Sequence, residues 1–144
     1  MPQPWLSWTV ASRDRHRPIT MVALGGLLVT VGLAVFGLPA VDLHGPLHQL
    51  GVMDPFCGGT RAVRLTMLGQ WDAAWTYNPA GIIAVVGAVV LLVRFVVGSI
   101  GGSWVDISWG WTPRRRRAVI LVSAAALVIL EIRQQGRADL LRLR

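Results

Sequence analysis

Three stretches of the chain are almost free of charged residues. The first, Ile19 to Leu38, has twenty residues without a charge, which is enough for a helix to cross about 30 Å of hydrocarbon. The second covers residues 80–97, where the only charge is Arg94, close enough to the far end to reach the interface. The uncharged core of the third has only 13 residues, 118–130. Snorkelling of the flanking arginines extends it to a full span over about 116–133.

The chain between the first two spans is too polar for lipid, yet part of it carries an apolar stripe. Large apolar side chains recur there at spacings of three and four residues, at Leu65, Leu68, Trp71 and Trp75. Gly69 favours a break into two short helices. We therefore expect residues 57–78 to form an interfacial or re-entrant helical segment. Together the patterns predict an all-α integral membrane protein with a single domain, residues 1–144, and about three transmembrane helices.

Composition agrees with a membrane protein. Hydrophobic residues make up 53% of the chain and charged residues only 15%, against about 25% in a typical soluble domain. All 14 basic residues are arginines, and the net charge is +7. Because the arginines flank the apolar runs, membrane topology and anionic lipid head groups explain them better than nucleic acid does. Trp104, Trp109 and Trp111 resemble an interfacial aromatic belt.

Arginine placement also predicts the orientation of the chain. Three arginines in residues 13–17 precede the first span, and Arg114–Arg117 precede the third. Both groups share the cytoplasmic side if the N-terminus is inside. The arginines of the tail, residues 133–144, then lie outside, unless the third span only dips into the bilayer and returns. We predict a multi-pass membrane protein with a cytoplasmic N-terminus.

The most informative motif follows the first span. It reads Asp54-Pro55-Phe56-Cys57-Gly58-Gly59-Thr60-Arg61-Ala62, and Gly69 and Tyr77-Asn78-Pro79 come after it. The motif resembles domain-of-unknown-function family 2752, whose small bacterial multi-span membrane proteins carry C-P-x-C-G-x-T-R and then N-P. The resemblance covers roughly residues 44–95. It implies a small multi-pass protein of a bacterial cytoplasmic (inner) membrane and supplies no activity.

One position departs from that family's pattern. Asp54 stands where the pattern has its first cysteine, and Cys57 is the only cysteine of the chain. The dithiol chemistry that paired cysteines imply therefore cannot operate here. A helix start and Arg61 close to Cys57 predict a lowered thiol pKa and a reactive thiolate. The alternative, which we favour, is a small residue packed in a tight turn.

Two further features of the motif have a functional and a structural interpretation. Gly58, Gly59, Thr60 and Arg61 could bind an anion such as a lipid head group through free amides and a guanidinium, with Thr60 as the helix cap. Alternatively, Arg61 pairs with Asp54, Asp72 or a backbone carbonyl and fixes the segment. Asn78 before Pro79 is typical of a helix cap rather than of a catalytic group.

A metal site is a weaker possibility. His44 and His48 have the i, i+4 spacing that presents two imidazoles to one metal, with Asp42 or Asp54 as a third ligand. Pro46 lies between them and makes a regular helix unfavourable. We predict no metal, no cofactor and no catalytic constellation.

Small residues predict where helices approach closely. Ala80, Ala84 and Ala88 form a ridge on the second span, and Gly25 and Gly32 leave smooth patches on the first. The partner is a protein in the membrane or a second copy, besides lipids. We therefore expect a non-enzymatic accessory or scaffold subunit of a membrane complex. The alternatives are a lipid-handling protein that uses the Gly58–Arg61 turn and, less favoured, a thiol-dependent enzyme that uses Cys57.

Overall fold

The computed structural model describes residues 6–38 and 51–142. These residues form six helices and two short strands. In chain order the elements are β1 (Leu6–Ala11), α1 (Arg17–Phe36), α2 (Gly59–Met67), α3 (Trp71–Tyr77), α4 (Pro79–Gly101), β2 (Trp104–Trp109), α5 (Pro113–Gln135) and α6 (Ala138–Arg142). The predicted, mostly helical fold class is confirmed.

Three helices, α1, α4 and α5, are long and apolar enough to cross a membrane. Each begins with a proline in its first turn, where the missing N–H leaves no hydrogen bond unmade. Asn78 caps α4 by accepting the amide of Ala80 at 2.9 Å, and Thr112 caps α5 by accepting the amide of Arg115 at 3.3 Å. α5 continues to Gln135 and is therefore as long as α4, with 23 residues each.

The two helices α1 and α4 pack against each other, and α2 packs against both. Gly81 on α4 permits the close approach of α2, since a Cβ added there would lie 2.7 Å from the Cβ of Ala62. On the other side of α2, Arg64 Nε donates to the carbonyl of Leu33 at 3.0 Å. The same carbonyl also accepts the Gly37 amide at 3.1 Å, so the Arg64 bond is a second one, and it fixes α2 beside the last turn of α1.

The segment between the first two spans forms two short helices, α2 and α3, separated at Gly69 as the pattern predicted. Gly69 has a φ of +75°, a left-handed conformation that favours glycine. The expectation that Thr60 caps this segment is wrong. The N-cap is Gly58, also left-handed with a φ of +74°, and no side chain caps the helix.

An antiparallel pair of strands, which the hydrophobic pattern did not predict, joins the N-terminus to the α4–α5 connection. β1 and β2 pair from Leu6 with Trp109 to Ala11 with Trp104. One face of the pair is apolar and largely exposed, and it consists of Leu6, Trp8, Val10, Val105, Ile107 and Trp109. The opposite face carries the buried Asp106.

Arg94 connects the strands to the helices. It does not merely snorkel: its guanidinium pairs with Asp14 at 2.9 Å, and its Nε donates to the carbonyl of Val105 at 2.9 Å. Burial raises the pKa of Asp14, but the hydrogen bonds from Arg94, Thr20 and the His16 amide and the charge of Arg94 outweigh it. The net pKa of Asp14 lies below its ordinary value.

α5 stands apart from the other two spans. Every side chain from Trp111 to Ile129 is exposed, and none of the described helices packs along this stretch. β2 carries the chain away from the end of α4 before α5 begins, at about 3.4 Å per residue. α5 regains contact with the rest of the protein only near its C-terminal end.

Candidate functional site

Three segments meet at the end of the helices opposite the strands. They are the turn at 51–58, the α3–α4 connection at 77–81 and the end of α5 with α6 at 133–141, and we call this contact region the junction. The motif that carries the family resemblance therefore lies against the C-terminal part of the chain. Gln134 is more than 50 residues away in sequence from Cys57 and Tyr77, which it contacts, so the fold brings these segments together.

Asn78 is the centre of the junction and is fully buried. Its Nδ2 donates to the carbonyls of Pro55 and Cys57 at 3.0 and 2.9 Å. Its Oδ1 accepts the Ala80 amide that begins α4. The predicted cap is thus confirmed, and the same side chain also fixes the turn before α2.

Gln134, near the end of α5, binds the same turn and is also fully buried. Its Nε2 donates to the carbonyls of Cys57 at 2.6 Å and Tyr77 at 2.9 Å. The neighbouring Gln135 accepts the Met53 amide and donates to the Gly51 carbonyl, both at 2.9 Å. The backbone of this turn is irregular and is not paired as in a helix or sheet. The amide side chains supply the hydrogen bonds that its buried N–H and C=O groups need.

Cys57 lies in this turn with its thiol 3.2 Å from Oδ2 of Asp54, to which it donates. The other carboxylate oxygen accepts the Phe56 amide at 2.7 Å. Burial and the hydrogen bond to Asp54 raise the pKa of Cys57 to about 11. The expectation of a lowered thiol pKa is therefore wrong, because a carboxylate and not Arg61 is the neighbour of the thiol.

A small apolar core closes the junction. Met53, Cys57 and Leu141 are buried together, and Tyr77 and Ala138 pack against them. Gly58 contacts this core so closely that a Cβ there would lie 2.7 Å from Leu141 Cδ2. Its left-handed φ and the lack of space both require glycine at this position of the motif.

Arg61 is half-buried and lies over the Tyr77 ring, with its Cζ 5.5 Å from the ring centroid. The predicted pairing of Arg61 with Asp54 or Asp72 is not found among the described contacts. Gly59 is half-buried beside it, and Thr60 is exposed. The structure thus brings Cys57, Gly58 and Asn78 into the junction and leaves Thr60 and Arg61 at its rim.

The predicted ridge on the second span divides between two environments. Ala84 is exposed, whereas Ala80 and Ala88 are half-buried. The close contact inside the chain uses Gly81 and Val85, one position further along the helix. The patches at Gly25 and Gly32 on α1 have nothing within 4 Å of an added Cβ, so no described residue packs on them.

The described residues contain no group of three or more His, Cys, Asp or Glu side chains suited to a metal ion. Asp42, His44 and His48, which suggested a metal site, lie outside the described residues. The carboxylate of Asp54 is engaged by the Phe56 amide and the Cys57 thiol.

Comparison with known families adds one finding. Residues 46–92 match the family model "Protein of unknown function (DUF2752)". The match confirms the resemblance that the motif suggested. It covers the turn and the α3–α4 connection of the junction and ends within α4, before Arg94 and α5. No curated protein and no solved structure matches the chain.

The sequence did not reveal the third segment of the junction, which lies beyond the DUF2752 match. Arg133 and Arg137 donate to the carbonyls of Trp75 and Thr76, beside the contacts of Gln134 and Gln135. The available signal was the cluster Arg133-Gln134-Gln135 directly after an apolar run. Two amides at a span boundary can satisfy the backbone of another segment.

Proposed function

We propose that the protein is a non-enzymatic accessory subunit of a complex in the bacterial cytoplasmic membrane, and that α5 docks on a transmembrane helix of a partner protein. The observation that carries this proposal is the exposure of α5. Its side chains from Pro113 to Ile129 contact no other described helix, although α5 is held firmly at its C-terminal end.

Hydropathy supports a protein partner rather than lipid alone. α5 is the least apolar of the three spans, and α4 is the most apolar. A span that faces lipid on all sides gains most from large apolar side chains, so the most exposed helix should be the most hydrophobic. The order is the reverse here. A partner that covers α5 in the assembled complex resolves this mismatch.

The middle of α5 also has the composition of a helix contact. Residues 123–126 read Ser-Ala-Ala-Ala and are all exposed. Small side chains let helix backbones approach closely in a membrane, and a serine can hydrogen-bond across the contact. This small-residue stretch lies at the middle of α5, where a crossing helix would make its closest approach.

Charge favours a different protein over a second copy. Arg114, Arg115, Arg116 and Arg117 take up the first turn of α5 and are exposed on all sides. Two copies in one membrane have the same orientation, so pairing through α5 would bring eight guanidinium groups together at one interface. A partner helix with carboxylates at that end would be attracted instead.

The side chains of the junction support the proposal that the protein is not an enzyme. The polar side chains of Asn78 and Gln134 are engaged by backbone groups, and the Cys57 thiol has a pKa of about 11. Groups held in this way organise the ends of α4 and α5. They position the docking helix and leave no activated nucleophile.

We further propose that the strand end faces the cytoplasm. The described residues place eight arginines at that end, namely Arg13, Arg15, Arg17, Arg94 and Arg114–Arg117, and five near the junction end. An excess of arginine marks the inner side. In this orientation α5 is a full span, and the C-terminal arginines lie outside, where Arg133 and Arg137 bind backbone carbonyls.

Cysteine labelling tests this orientation, because Cys57 is the only native thiol. In a Cys57→Ala background, a membrane-impermeant maleimide should label Gln70→Cys on intact spheroplasts. It should label Ser103→Cys only after permeabilisation. Both positions are exposed, at opposite ends of the helices. The reverse pattern would overturn the orientation.

Co-purification tests the docking proposal. The full chain is extracted from native membranes in mild detergent, and partners are quantified by mass spectrometry. A stoichiometric membrane partner should accompany the native protein and fall at least tenfold for Ala125→Trp. Val29→Trp, an equally large change on the exposed face of α1, is the matched control and should retain the partner. Equal retention by both variants, or no stoichiometric partner, contradicts the proposal.

The alternative of a lipid-handling protein depends on Arg61. Its contact within the described chain is the Tyr77 ring, so its charge is available to an anionic head group. Under this alternative both Arg61→Ala and Arg61→Lys should reduce the phospholipid that co-purifies with the protein. Unchanged phospholipid in both variants would exclude it and leave the accessory role standing.

A further inference from the structure

A groove lies at the strand end of α5, away from the junction. Its volume is about 480 Å³, and its walls are formed by Trp111, Thr112, Pro113, Arg116, Arg117 and Ile120. The groove combines two guanidinium groups with an indole and an aliphatic side chain. Such a combination suits a ligand that is anionic at one end and apolar at the other.

The turn that forms the groove has a fixed backbone. Thr112 accepts the Arg115 amide through its hydroxyl at 3.3 Å and the Arg116 amide through its carbonyl at 2.9 Å. Arg115 is itself engaged, because its Nη1 donates to the Gly110 carbonyl at 2.9 Å. The groove is therefore held by a capped helix start and an anchored arginine.

Arg116 and Arg117 differ from Arg115 in having no carboxylate or carbonyl partner among the described residues. Both are exposed, and neither is needed to hold the turn. The two guanidinium groups are consecutive in sequence and offer several N–H donors to a phosphate. The planar, forked donors of an arginine match the oxygens of a phosphate better than a compact point charge does.

The groove lies at the boundary between the charged and apolar parts of α5. Arg117 is the last charge before the uncharged core, which begins at Ala118, and Ile120 is already within that core. Trp111 stacks on Trp109 with ring centroids 6.4 Å apart, so the groove continues into the exposed apolar face of the strand pair. Indoles at this depth are typical of the membrane interface.

We propose that this groove binds the head group and upper acyl region of one anionic phospholipid. Arg116 and Arg117 bind the phosphate, while Trp111 and Ile120 contact the glycerol and the first methylenes. A zwitterionic lipid offers the same phosphate but adds a cation, which the two arginines repel. The site lies at the charged N-terminal end of α5, before the small-residue stretch of residues 123–126 where we propose that the partner helix makes its closest approach.

Native mass spectrometry of the full chain in detergent tests the site with phosphatidylglycerol and phosphatidylcholine of identical acyl chains. The native protein should retain one phosphatidylglycerol in at least fivefold preference. Arg116→Gln/Arg117→Gln should abolish the preference, and Trp111→Ala should weaken it severalfold. Arg13→Gln/Arg114→Gln is the matched control, because it removes two exposed charges from the same end and leaves the groove intact.

Three outcomes would overturn the proposal. The first is equal retention of the two lipids by the native protein. The second is an equal loss of preference in the control variant, which would mean that only the summed charge of the surface attracts the lipid. The third is displacement of phosphatidylglycerol by an excess of glycerol 3-phosphate, which would assign the site to a soluble phosphate ester. Circular dichroism of each variant checks that α5 remains helical.

Discussion

At its C-terminal end α5 is bound by the junction, whereas along its middle and at its N-terminal end it contacts almost nothing. Gln134 is fully buried and donates to two backbone carbonyls, yet Val128, only six residues earlier, is 54% exposed. Both regions belong to one continuous helix. The difference shows that the chain fixes the position of α5 without using its apolar surface.

The two regions also use different chemistry. At the junction, neutral amides bind backbone carbonyls, an arrangement that depends little on pH or salt. At the strand end, charges dominate: Asp14 pairs with Arg94, and Asp106 lies 2.6 Å from His16. Stability should therefore respond to amide substitutions at one end and to acidification at the other.

Asn78→Ala should have the largest effect on stability. It removes three hydrogen bonds of a fully buried side chain, takes the Asn78 donor from the carbonyl of Pro55, and leaves the carbonyl of Cys57 with Gln134 as its remaining side-chain donor. We expect a loss of about 3 kcal/mol in the free energy of unfolding. Thermal unfolding in detergent, followed by circular dichroism, measures it. A loss below about 1 kcal/mol, the size of one ordinary hydrogen bond, would show that the junction is not the anchor of this end.

Gln134→Ala and Gln135→Ala sharpen the comparison within the junction. Gln134 is fully buried and binds the turn at 51–58 and Tyr77 through two hydrogen bonds. Gln135 is exposed and makes two hydrogen bonds to the same turn. We expect losses of about 2 and about 1 kcal/mol, because water replaces the exposed bonds more easily. The same unfolding assay applies. Equal losses would contradict the role of burial.

The lowered pKa of Asp14 predicts that acid destabilises the strand end. Its pKa is lowered in the folded protein, so its charge contributes stability that is present above the ordinary pKa of 3.8 and is lost as the pH falls through the folded value. Asp14→Asn should remove this part of the acid dependence and cost about 1 kcal/mol at pH 7. Unfolding between pH 2 and 7 measures it. An unchanged acid profile would exclude Asp14 as the responsible group.

The raised pKa of Cys57 should affect stability least of these features, but it should strongly reduce the reactivity of the thiol. With a pKa of about 11 against an ordinary 9.0, the thiolate fraction at pH 8 is reduced about a hundredfold. Alkylation by a small maleimide in detergent should be slower by at least that factor than for an exposed control, Gln70→Cys in the Cys57→Ala background. Comparable rates would restore Cys57 as a reactive thiol.

The spans, the division of the 57–78 segment at Gly69 and the Asn78 cap were predictable, because periodicity, glycine and Asn-Pro act locally. The strand pair was not predicted, although Leu6, Trp8 and Val10 alternate with polar residues, because its partner is about 100 residues away. The carboxylate beside Cys57 was visible in the sequence, but the helix start suggested a lowered pKa. Burial and the Asp54 hydrogen bond outweigh that effect.

The contacts between the spans could not be predicted from the sequence either. The alanine ridge and the actual contact at Gly81 differ by one residue, a rotation of about 100° around α4. The role of Gln134 depends on α5 being long enough to bring its C-terminal end to the turn at 51–58. Neither feature is encoded by neighbouring residues alone.

Photo-crosslinking in the native membrane tests the central claim most directly. A photoreactive residue is placed singly at positions 118–130 of α5 and, for comparison, at Val22, Gly26 and Val29 on the exposed face of α1. We predict one discrete protein adduct from α5 positions that recur every three to four residues and pass near residues 123–126, and none from α1. Adducts to lipid alone from both helices, or protein adducts without helical periodicity, would contradict a docking role for α5.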